Sequence, residues 1–121
     1  HACINKPIVL KPMERQLIPT GIAIELPIGY ELQIRARSSL GLKHGITMVN
    51  GVGTVDSDYR GEIGVALINL SSEDFTVEPD MRVAQMIVAR HEHVIWDQVE
   101  SLDETQRGTG GFGSTGTGVN N

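Results

Sequence analysis

The sequence predicts an all-β fold, and three observations support this. In residues 22–26 and 30–34, apolar side chains alternate with polar or small ones, and a period of two places one set inward on a strand. Short apolar runs of this kind recur at near-regular spacing between turn signals. Hydrophobic residues make up 40% of the 121 residues and charged residues 21%, which excludes wholesale disorder. We therefore expect one domain built as a sandwich, jelly roll or small barrel.

The predicted elements follow in chain order. Strands are expected at residues 8–10, 22–26, 30–34, 46–49, 63–68 and 83–89, with a weaker one at 94–99. Turn or breaker signals separate them, at Lys11-Pro12, residues 27–29, His44-Gly45, Asn50-Gly51 and residues 78–80. One helical turn is expected at residues 38–43, with Ser38 or Ser39 as its N-cap.

Charge and cysteine content exclude several classes of protein. Ten Lys and Arg residues against 15 Asp and Glu give a net charge of −5, which argues against a nucleic-acid partner. No apolar run is long enough to span a bilayer and no signal-peptide pattern opens the chain, so we expect a soluble protein without a membrane partner, cytoplasmic, or nuclear or organellar if the source is eukaryotic. The single cysteine, Cys3, excludes an intrachain disulfide and is expected to be a small buried residue.

The composition changes at residue 107. We expect a β domain over residues 1–106 and a Gly-rich segment over residues 107–121, which has almost nothing to bury. Composition alone favours a disordered tail. The alternative is a mobile arm that becomes ordered on a ligand, with closely spaced N–H groups for phosphates and Phe112 to cover an aromatic ring.

Residues 36–40 form a candidate anion pocket. Arg37 supplies a guanidinium, Ser38 and Ser39 supply hydroxyls, and the start of a helical turn supplies backbone N–H groups. The alternative is an exposed arginine followed by a simple N-cap.

Residues 50–61 form a second candidate site. Asn50-Gly51 and Gly53 predict a tight hairpin whose backbone can approach a flat ligand. Asp56, Asp58 and Tyr59 then crowd one loop, where a carboxylate can serve as a general base toward water. The alternative is a surface turn with solvated aspartates.

Three further positions carry weaker signals. Gln85 shares a strand face with apolar neighbours, so it needs either a structural hydrogen bond or a ligand contact. His91 and His93 lie on one side of a predicted strand as half of a metal site, but no further Cys or His cluster completes it. Trp96 is expected to pack at an edge or interface.

Together these segments resemble the trimeric dUTP pyrophosphatase (dUTPase) family over essentially the whole chain. Four stretches resemble the second to fifth motifs of that family in order: residues 36–40, 53–61, 82–86 and 107–115. The resemblance implies a jelly-roll subunit in a homotrimer with its active sites at subunit contacts. It also implies Mg²⁺-dependent hydrolysis of dUTP to dUMP and pyrophosphate, which limits uracil in DNA and supplies dUMP.

The resemblance also implies a role for each matching residue. Asp56 would activate the water that attacks the α-phosphorus, and Tyr59 would pack under the deoxyribose. Uracil would be read by Asn50, Gly53 and Val55; the phosphates would be held by Arg37, Ser38, Ser39 and Gln85; and the arm would contribute Arg107, Phe112, Gly113, Ser114 and Thr115. No metal ligand is expected in this chain, because phosphates and water would hold most of the Mg²⁺.

Two departures from the family pattern stand out. The first family motif, an Ala-Gly-x-Asp-Leu segment, would precede His1 and is absent from this sequence. Position 39 is Ser where the family often has Gly, a feature shared with the related dCTP deaminases. Two alternatives therefore remain: a dCTP deaminase, or a non-catalytic nucleotide-sensing or interaction module of the same fold.

Overall fold

The computed structural model describes residues 1–114, 116 and 118. Within these residues lie eight strands and one short helix, which confirms the predicted all-β class. They are β1 (Ile8–Leu10), β2 (Arg15–Pro19), β3 (Tyr30–Arg35), α1 (Ser38–His44), β4 (Ile46–Met48), β5 (Gly53–Val55), β6 (Gly64–Asn69), β7 (Phe75–Val77) and β8 (Gln85–Arg90).

The strands pair antiparallel throughout and form three small sheets in the described part of the chain. β1 pairs with β7, β6 lies between β2 and β4, and β3 lies between β5 and β8. The register in the third sheet places Ile34 opposite Gly53 and Met86, and Leu32 opposite Val55 and Val88. This sheet carries three of the predicted site residues, Gly53, Val55 and Gln85.

The core follows the period-two pattern that the sequence shows. In β6, Val65, Leu67 and Asn69 are buried and alternate with half-buried residues. Leu32 and Ile34 do the same in β3. Burying each of these aliphatic side chains contributes roughly 1.5–3 kcal/mol. The buried hydrophobic residues are Ala2, Leu10, Ile18, Leu32, Ile34, Ile46, Met48, Ile63, Val65, Leu67, Val77 and Val83.

Asn69 occupies an inward position that the pattern would assign to an apolar residue. Its Nδ2 donates to the carbonyls of Leu10 (2.8 Å) and Glu73 (2.7 Å). Its Oδ1 accepts from the backbone N–H of Ser71 (2.9 Å) and from the Ser71 hydroxyl (2.8 Å). Both ends of the amide are satisfied, so the buried polar group does not carry an uncompensated desolvation cost.

Two predicted strands are wrong. Residues 22–26 alternate in exposure but form no ladder among the described residues; Ile22 accepts one backbone hydrogen bond, from Ile63 N–H at 2.8 Å. Residues 94–99 form no strand either, and Trp96 is 91% exposed. Alternation records which side chains face inward, whereas a strand needs a second strand alongside it to complete its hydrogen bonds.

Three strands, β2, β5 and β7, were not predicted as separate elements. β2 reads Arg-Gln-Leu-Ile-Pro and lacks clean alternation, because it is an edge strand with three exposed residues at its start. It is a strand because β6 supplies its hydrogen-bond partners from Arg15 to Pro19. The predicted strands at 63–68 and 83–89 begin and end one or two residues later, as β6 and β8.

Two local expectations are also corrected. The N-cap of α1 is Arg37, and no side chain caps the helix, so neither Ser38 nor Ser39 has that role. Both serines lie inside the helix, where their hydroxyls are not positioned to accept from the first turn's N–H groups. Cys3 is an exposed free thiol, since the neighbouring Ala2 takes the inward position.

Candidate active site

A cleft of about 290 Å³ lies beside the end of β5. Asp56 and Tyr59 stand in its wall, together with Thr54 and Val55 of β5. Asp56 is exposed and Tyr59 is 46% exposed, so both side chains are accessible to a ligand. The rest of the wall comes from residues that the sequence did not single out: Leu17, Glu62, Ile63 and Gly64.

The loop that carries Asp56 and Tyr59 is held by its own hydrogen bonds. The Tyr59 backbone N–H donates to the Asp56 carbonyl at 3.2 Å, which closes a turn. The Tyr59 hydroxyl donates to the Glu62 carbonyl at 3.0 Å. Arg60 donates from Nη1 to the Ser57 carbonyl (2.7 Å) and to the Tyr59 carbonyl (3.1 Å). These bonds hold the backbone of the loop and the Tyr59 ring in place.

The turn at Asn50 and Gly51 forms as predicted, but it is not a hairpin between paired strands. The Gly51 N–H donates to the Met48 carbonyl at 3.1 Å, and Gly51 has φ 72°, which favours glycine. β4 pairs with β6 and β5 pairs with β3, so the turn carries the chain from one sheet to another. The hairpin prediction was wrong because turn residues do not determine which partner each flanking strand finds.

Gly53 leaves room for the Asn50 side chain. A Cβ added at Gly53 would lie 3.3 Å from Asn50 Nδ2 and 3.2 Å from Ile34 Cβ, tighter than most real contacts. The Asn50 amide therefore packs close over the first residue of β5. Of the predicted uracil-reading residues, Gly53 is buried and Val55 is half-buried, while Asn50 is exposed.

Arg37, Ser38 and Ser39 lie just beyond β3, where Gln85 begins β8. Gln85 pairs in register with Arg35, and its Nε2 donates to the Ala36 carbonyl at 3.2 Å. Gln85 is exposed rather than buried, and of the two expected contacts the structural hydrogen bond is observed. That bond joins the start of β8 to the segment that leads into α1. Ser38 and Ser39 are exposed, and Arg37 is half-buried.

The two groups of candidate residues lie at opposite ends of the β3–β5 pair. The register places Asp56, which follows Val55, level with Glu31, whereas Arg37 lies six positions further along the chain. At about 3.4 Å per residue this separates them by roughly 20 Å along the strand. Asn50 and Gln85 lie toward the Arg37 end. One chain therefore does not bring all predicted site residues together.

The C-terminal arm residues make local turns. Arg107 Nε donates to the Gly110 carbonyl at 2.6 Å, and the Ser114 N–H donates to the Gly111 carbonyl at 3.2 Å. Phe112 is fully exposed with φ 47°, and Gly113 follows with φ 100°. Thr115, the last residue predicted for this arm, lies outside the described residues.

Two features are absent from the residues that the structure describes. No group of three or more His, Cys, Asp or Glu side chains there has the spacing to hold a metal ion, and the His91 and His93 rings have centroids 6.2 Å apart. Within the same residues, no helix has both the length and the apolar character needed to cross a membrane.

Sequence reasoning missed the cleft residues for identifiable reasons. Leu17 is on β2, a strand that the alternation pattern did not indicate. Glu62 fastens the cleft to a distant segment, since its Oε1 accepts from the Gly21 N–H at 2.7 Å, a contact between residues 41 positions apart. The Gly61 and Gly64 positions were a usable signal, because glycines beside a candidate loop often permit close packing.

This chain is closely similar in sequence to known proteins. The family model for dUTPase matches residues 1–116. A deoxyuridine 5'-triphosphate nucleotidohydrolase from Rickettsia felis is 60% identical over 115 residues, which cover 95% of this chain and 78% of that protein.

Solved structures share the fold. A dUTPase variant of Staphylococcus bacteriophage 80alpha, solved with dUpNHpp, superposes with a TM-score of 0.83 at 23% identity, covering 92% of this chain and 81% of that one. A dUTPase variant from phage phi11 of S. aureus, whose structure shows a coordinated structural Mg(II) ion, superposes with a TM-score of 0.75 at 19% identity, covering 82% and 80%. These likenesses confirm the predicted all-β, jelly-roll-like class.

Proposed function

The chain belongs to the dUTPase family, a family of enzymes, and from this premise we propose that it hydrolyses dUTP to dUMP and pyrophosphate. The observation that carries the proposal is the cleft in which the Asp56 carboxylate stands beside the Tyr59 ring. A solvent-accessible carboxylate in a fixed loop can accept a proton from water. A half-exposed aromatic ring next to it offers a flat surface for a sugar.

The proposed reaction is one in-line displacement. Asp56 accepts a proton from a water molecule whose oxygen attacks the α-phosphorus, and the bond from that phosphorus to the bridging oxygen breaks. Pyrophosphate leaves with the bridging oxygen, and dUMP retains the new oxygen. Tyr59 packs under the deoxyribose and leaves no room for a 2′-hydroxyl, so ribonucleotides are rejected by contact with the ring.

Base selection is assigned to the turn between β4 and β5. Asn50 and the backbone at Gly53 and Val55 provide hydrogen-bonding groups held in fixed positions, and these suit the edge of uracil. A site that must pair its hydrogen-bonding groups discriminates more strongly than an apolar pocket does. The close packing of Asn50 over Gly53 supports a rigid reading surface.

The triphosphate is assigned to two groups of residues. Arg37, Ser38, Ser39 and Gln85 provide a guanidinium, two hydroxyls and an amide, and guanidinium binds phosphate in a bidentate manner. The arm adds Arg107, Phe112, Gly113, Ser114 and Thr115, which close over the nucleotide, with Phe112 stacked on uracil. Closure would exclude water and complete the site only with ligand bound.

Magnesium fits this proposal as an ion carried by the substrate. The described residues offer no cluster of three ligands, so phosphate oxygens and water would hold most of the coordination shell. Bound there, the ion would offset the charge of a triphosphate in a protein of net charge −5. The structural Mg(II) ion of the phage phi11 relative supports a divalent metal in the family.

A homotrimer is proposed because a single chain leaves the site divided. Asp56 and Arg37 lie at opposite ends of the β3–β5 pair, so one nucleotide can reach both groups only if a second copy supplies one of them. Large apolar side chains are also exposed on β8 and after it: Met86, Val88, Val94, Ile95, Trp96, Val99 and Leu102. Packing them between subunits would remove this apolar surface from water.

The test is pyrophosphate release with Mg²⁺ from dUTP, UTP, dTTP and dCTP. Release from dUTP alone is the expected result, since the turn selects uracil and Tyr59 selects deoxyribose. Conversion of dCTP to a uracil nucleotide without pyrophosphate would replace the proposal with a deaminase. Tight dUTP binding without release of any product would indicate a nucleotide-sensing module.

A further inference from the structure

Gly61 lies two residues after Tyr59, directly against the tyrosine ring. A Cβ added at Gly61 would lie 2.6 Å from Tyr59 Cζ and 3.0 Å from Cε2, and closer still to the hydroxyl oxygen. Carbon atoms in contact normally stay about 3.5–4.0 Å apart. The ring therefore occupies the space that any side chain at position 61 would need.

The backbone at Gly61 does not itself require glycine. Gly51, by contrast, has a backbone that requires glycine: its φ is 72°, a conformation that residues with a side chain rarely adopt. Gly61 is not among the positive-φ glycines, so alanine is compatible with its backbone. The three atoms nearest to a Cβ at position 61 all belong to the Tyr59 side chain.

The ring is also fixed at its far end and presented to the cleft. Its hydroxyl donates to the Glu62 carbonyl at 3.0 Å, one residue beyond Gly61. The ring lies across Gly61, hydrogen-bonds beyond it and remains 46% exposed in the cleft wall that also holds Asp56. The ring can lie this close to the loop because Gly61 has no side chain, and the bond to Glu62 holds it there.

We propose that Gly61 is a positioning residue for sugar selection: it lets the Tyr59 ring lie flat on the loop, at the depth where the ring excludes a 2′-hydroxyl. This inference rests on the proposed function, because it assigns Tyr59 to the deoxyribose. A methyl group at position 61 would lift or rotate the ring by roughly 1 Å to restore normal contact distances. Displacements of that size at a reacting site can cost about 100-fold in rate.

The primary test compares dUTP and UTP as substrates of the Gly61→Ala variant. We expect the ratio of kcat/KM for dUTP to that for UTP to fall about tenfold or more, because the displaced ring no longer excludes the 2′-hydroxyl of UTP. Gly41→Ala is the matched control, since a Cβ there meets only the Ile46 carbonyl at 3.8 Å and lies within α1. That control should keep the wild-type ratio. A folded Gly61→Ala enzyme with the wild-type ratio would overturn the inference.

A second comparison tests whether the effect acts through the ring. In a Tyr59→Ala background the obstacle is gone, so adding Gly61→Ala should change neither the dUTP/UTP ratio nor the thermal midpoint. An equal loss of selectivity in both backgrounds would show that Gly61 acts independently of Tyr59 and would reject the inference. If Gly61→Ala alone fails to fold, recovery of folding in the double variant supports the ring contact, and no recovery rejects it.

Failure of the proposed function and failure of the sugar-selection inference give different experimental results. Wild-type protein that turns over none of the four nucleotides rejects the proposed function, and the sugar-selection inference with it. Wild-type protein that discriminates dUTP from UTP, together with a Gly61→Ala variant that discriminates equally well, rejects the inference alone.

Discussion

Arg60 donates from Nη1 to the Ser57 carbonyl at 2.7 Å, inside the loop that carries Asp56 and Tyr59. The same nitrogen reaches the Tyr59 carbonyl at 3.1 Å. Its Nη2 also lies 3.7 Å from Glu25 Oε1, but that pair is largely exposed, and exposed ion pairs contribute little. The carbonyl bonds, which are charge-assisted and local, are the contacts that hold the loop in shape.

Arg60→Ala should therefore weaken catalysis more than it weakens the fold. We expect kcat/KM for dUTP to fall about tenfold, because a looser loop no longer holds Asp56 in position. Glu25→Gln is the control, since it removes only the ion pair, and it should stay within about twofold of wild type. Steady-state kinetics of both variants decide the matter: an equal loss in Glu25→Gln would transfer the role to the ion pair.

Asp56→Asn should abolish turnover with little change in nucleotide binding. The substitution keeps size and polarity but removes the proton acceptor, and general-base catalysis contributes about 10²–10⁴-fold. Single-turnover pyrophosphate release gives the rate, and calorimetric titration with a non-hydrolysable analogue gives the affinity. Asp58→Asn, in the same loop, serves as the control and should remain active. Persisting turnover in Asp56→Asn would exclude Asp56 as the base.

Removal of residues 108–121 should strongly lower activity while leaving assembly unchanged. The arm residues described make only local hydrogen bonds, so we expect the β domain to fold without them. Sedimentation of the truncated protein should match that of the full chain, and its kcat/KM for dUTP should fall by at least about 100-fold, because closure no longer excludes water. Full activity in the truncated protein would contradict this prediction and favour the interpretation of the segment as a disordered tail.

Asn69→Leu should destabilise the fold without altering the active site. The change leaves the Leu10 carbonyl without its Asn69 donor in a buried position and removes the acceptor of the Ser71 backbone N–H, and a buried group left unpaired costs about 1–3 kcal/mol. We expect a loss of roughly 2–4 kcal/mol in urea unfolding at fixed protein concentration. Asn5→Leu, at an exposed position, is the comparison. Equal unfolding midpoints for the two variants would contradict the role of Asn69.

Trp96 provides an intrinsic probe of assembly. It is the only tryptophan of the chain and is 91% exposed in the single subunit. If subunits pack through this region, its emission should be blue-shifted and protected from acrylamide relative to free N-acetyltryptophanamide, and dilution to monomers should remove both effects. Emission and quenching like those of the free indole, in a protein that sediments as a trimer, would place Trp96 outside the interface.

Local alternation predicted some of the strands whose hydrogen-bond partners are present in the chain, and missed β2, β5 and β7. The alternation predicts β3 and β6 directly, because each strand lies at the centre of its sheet and has one buried face. Residues 22–26 show the same alternation and form no ladder among the described residues, while β2 shows little alternation and pairs fully with β6. The alternation of side chains indicates which residues are buried, but the pairing of a strand depends on which other strand lies alongside it.

The sequence by itself identified the loop with Asp56 and Tyr59 and the segment with Arg37, because residue type and spacing carry that chemistry. Only the tertiary structure decided that these groups lie at opposite ends of the β3–β5 pair, since register is a property of two paired strands. It also showed that the Tyr59 ring occupies the space that a side chain at position 61 would need. A close contact between a ring and a Cα depends on how a loop folds back on itself, which no local pattern records.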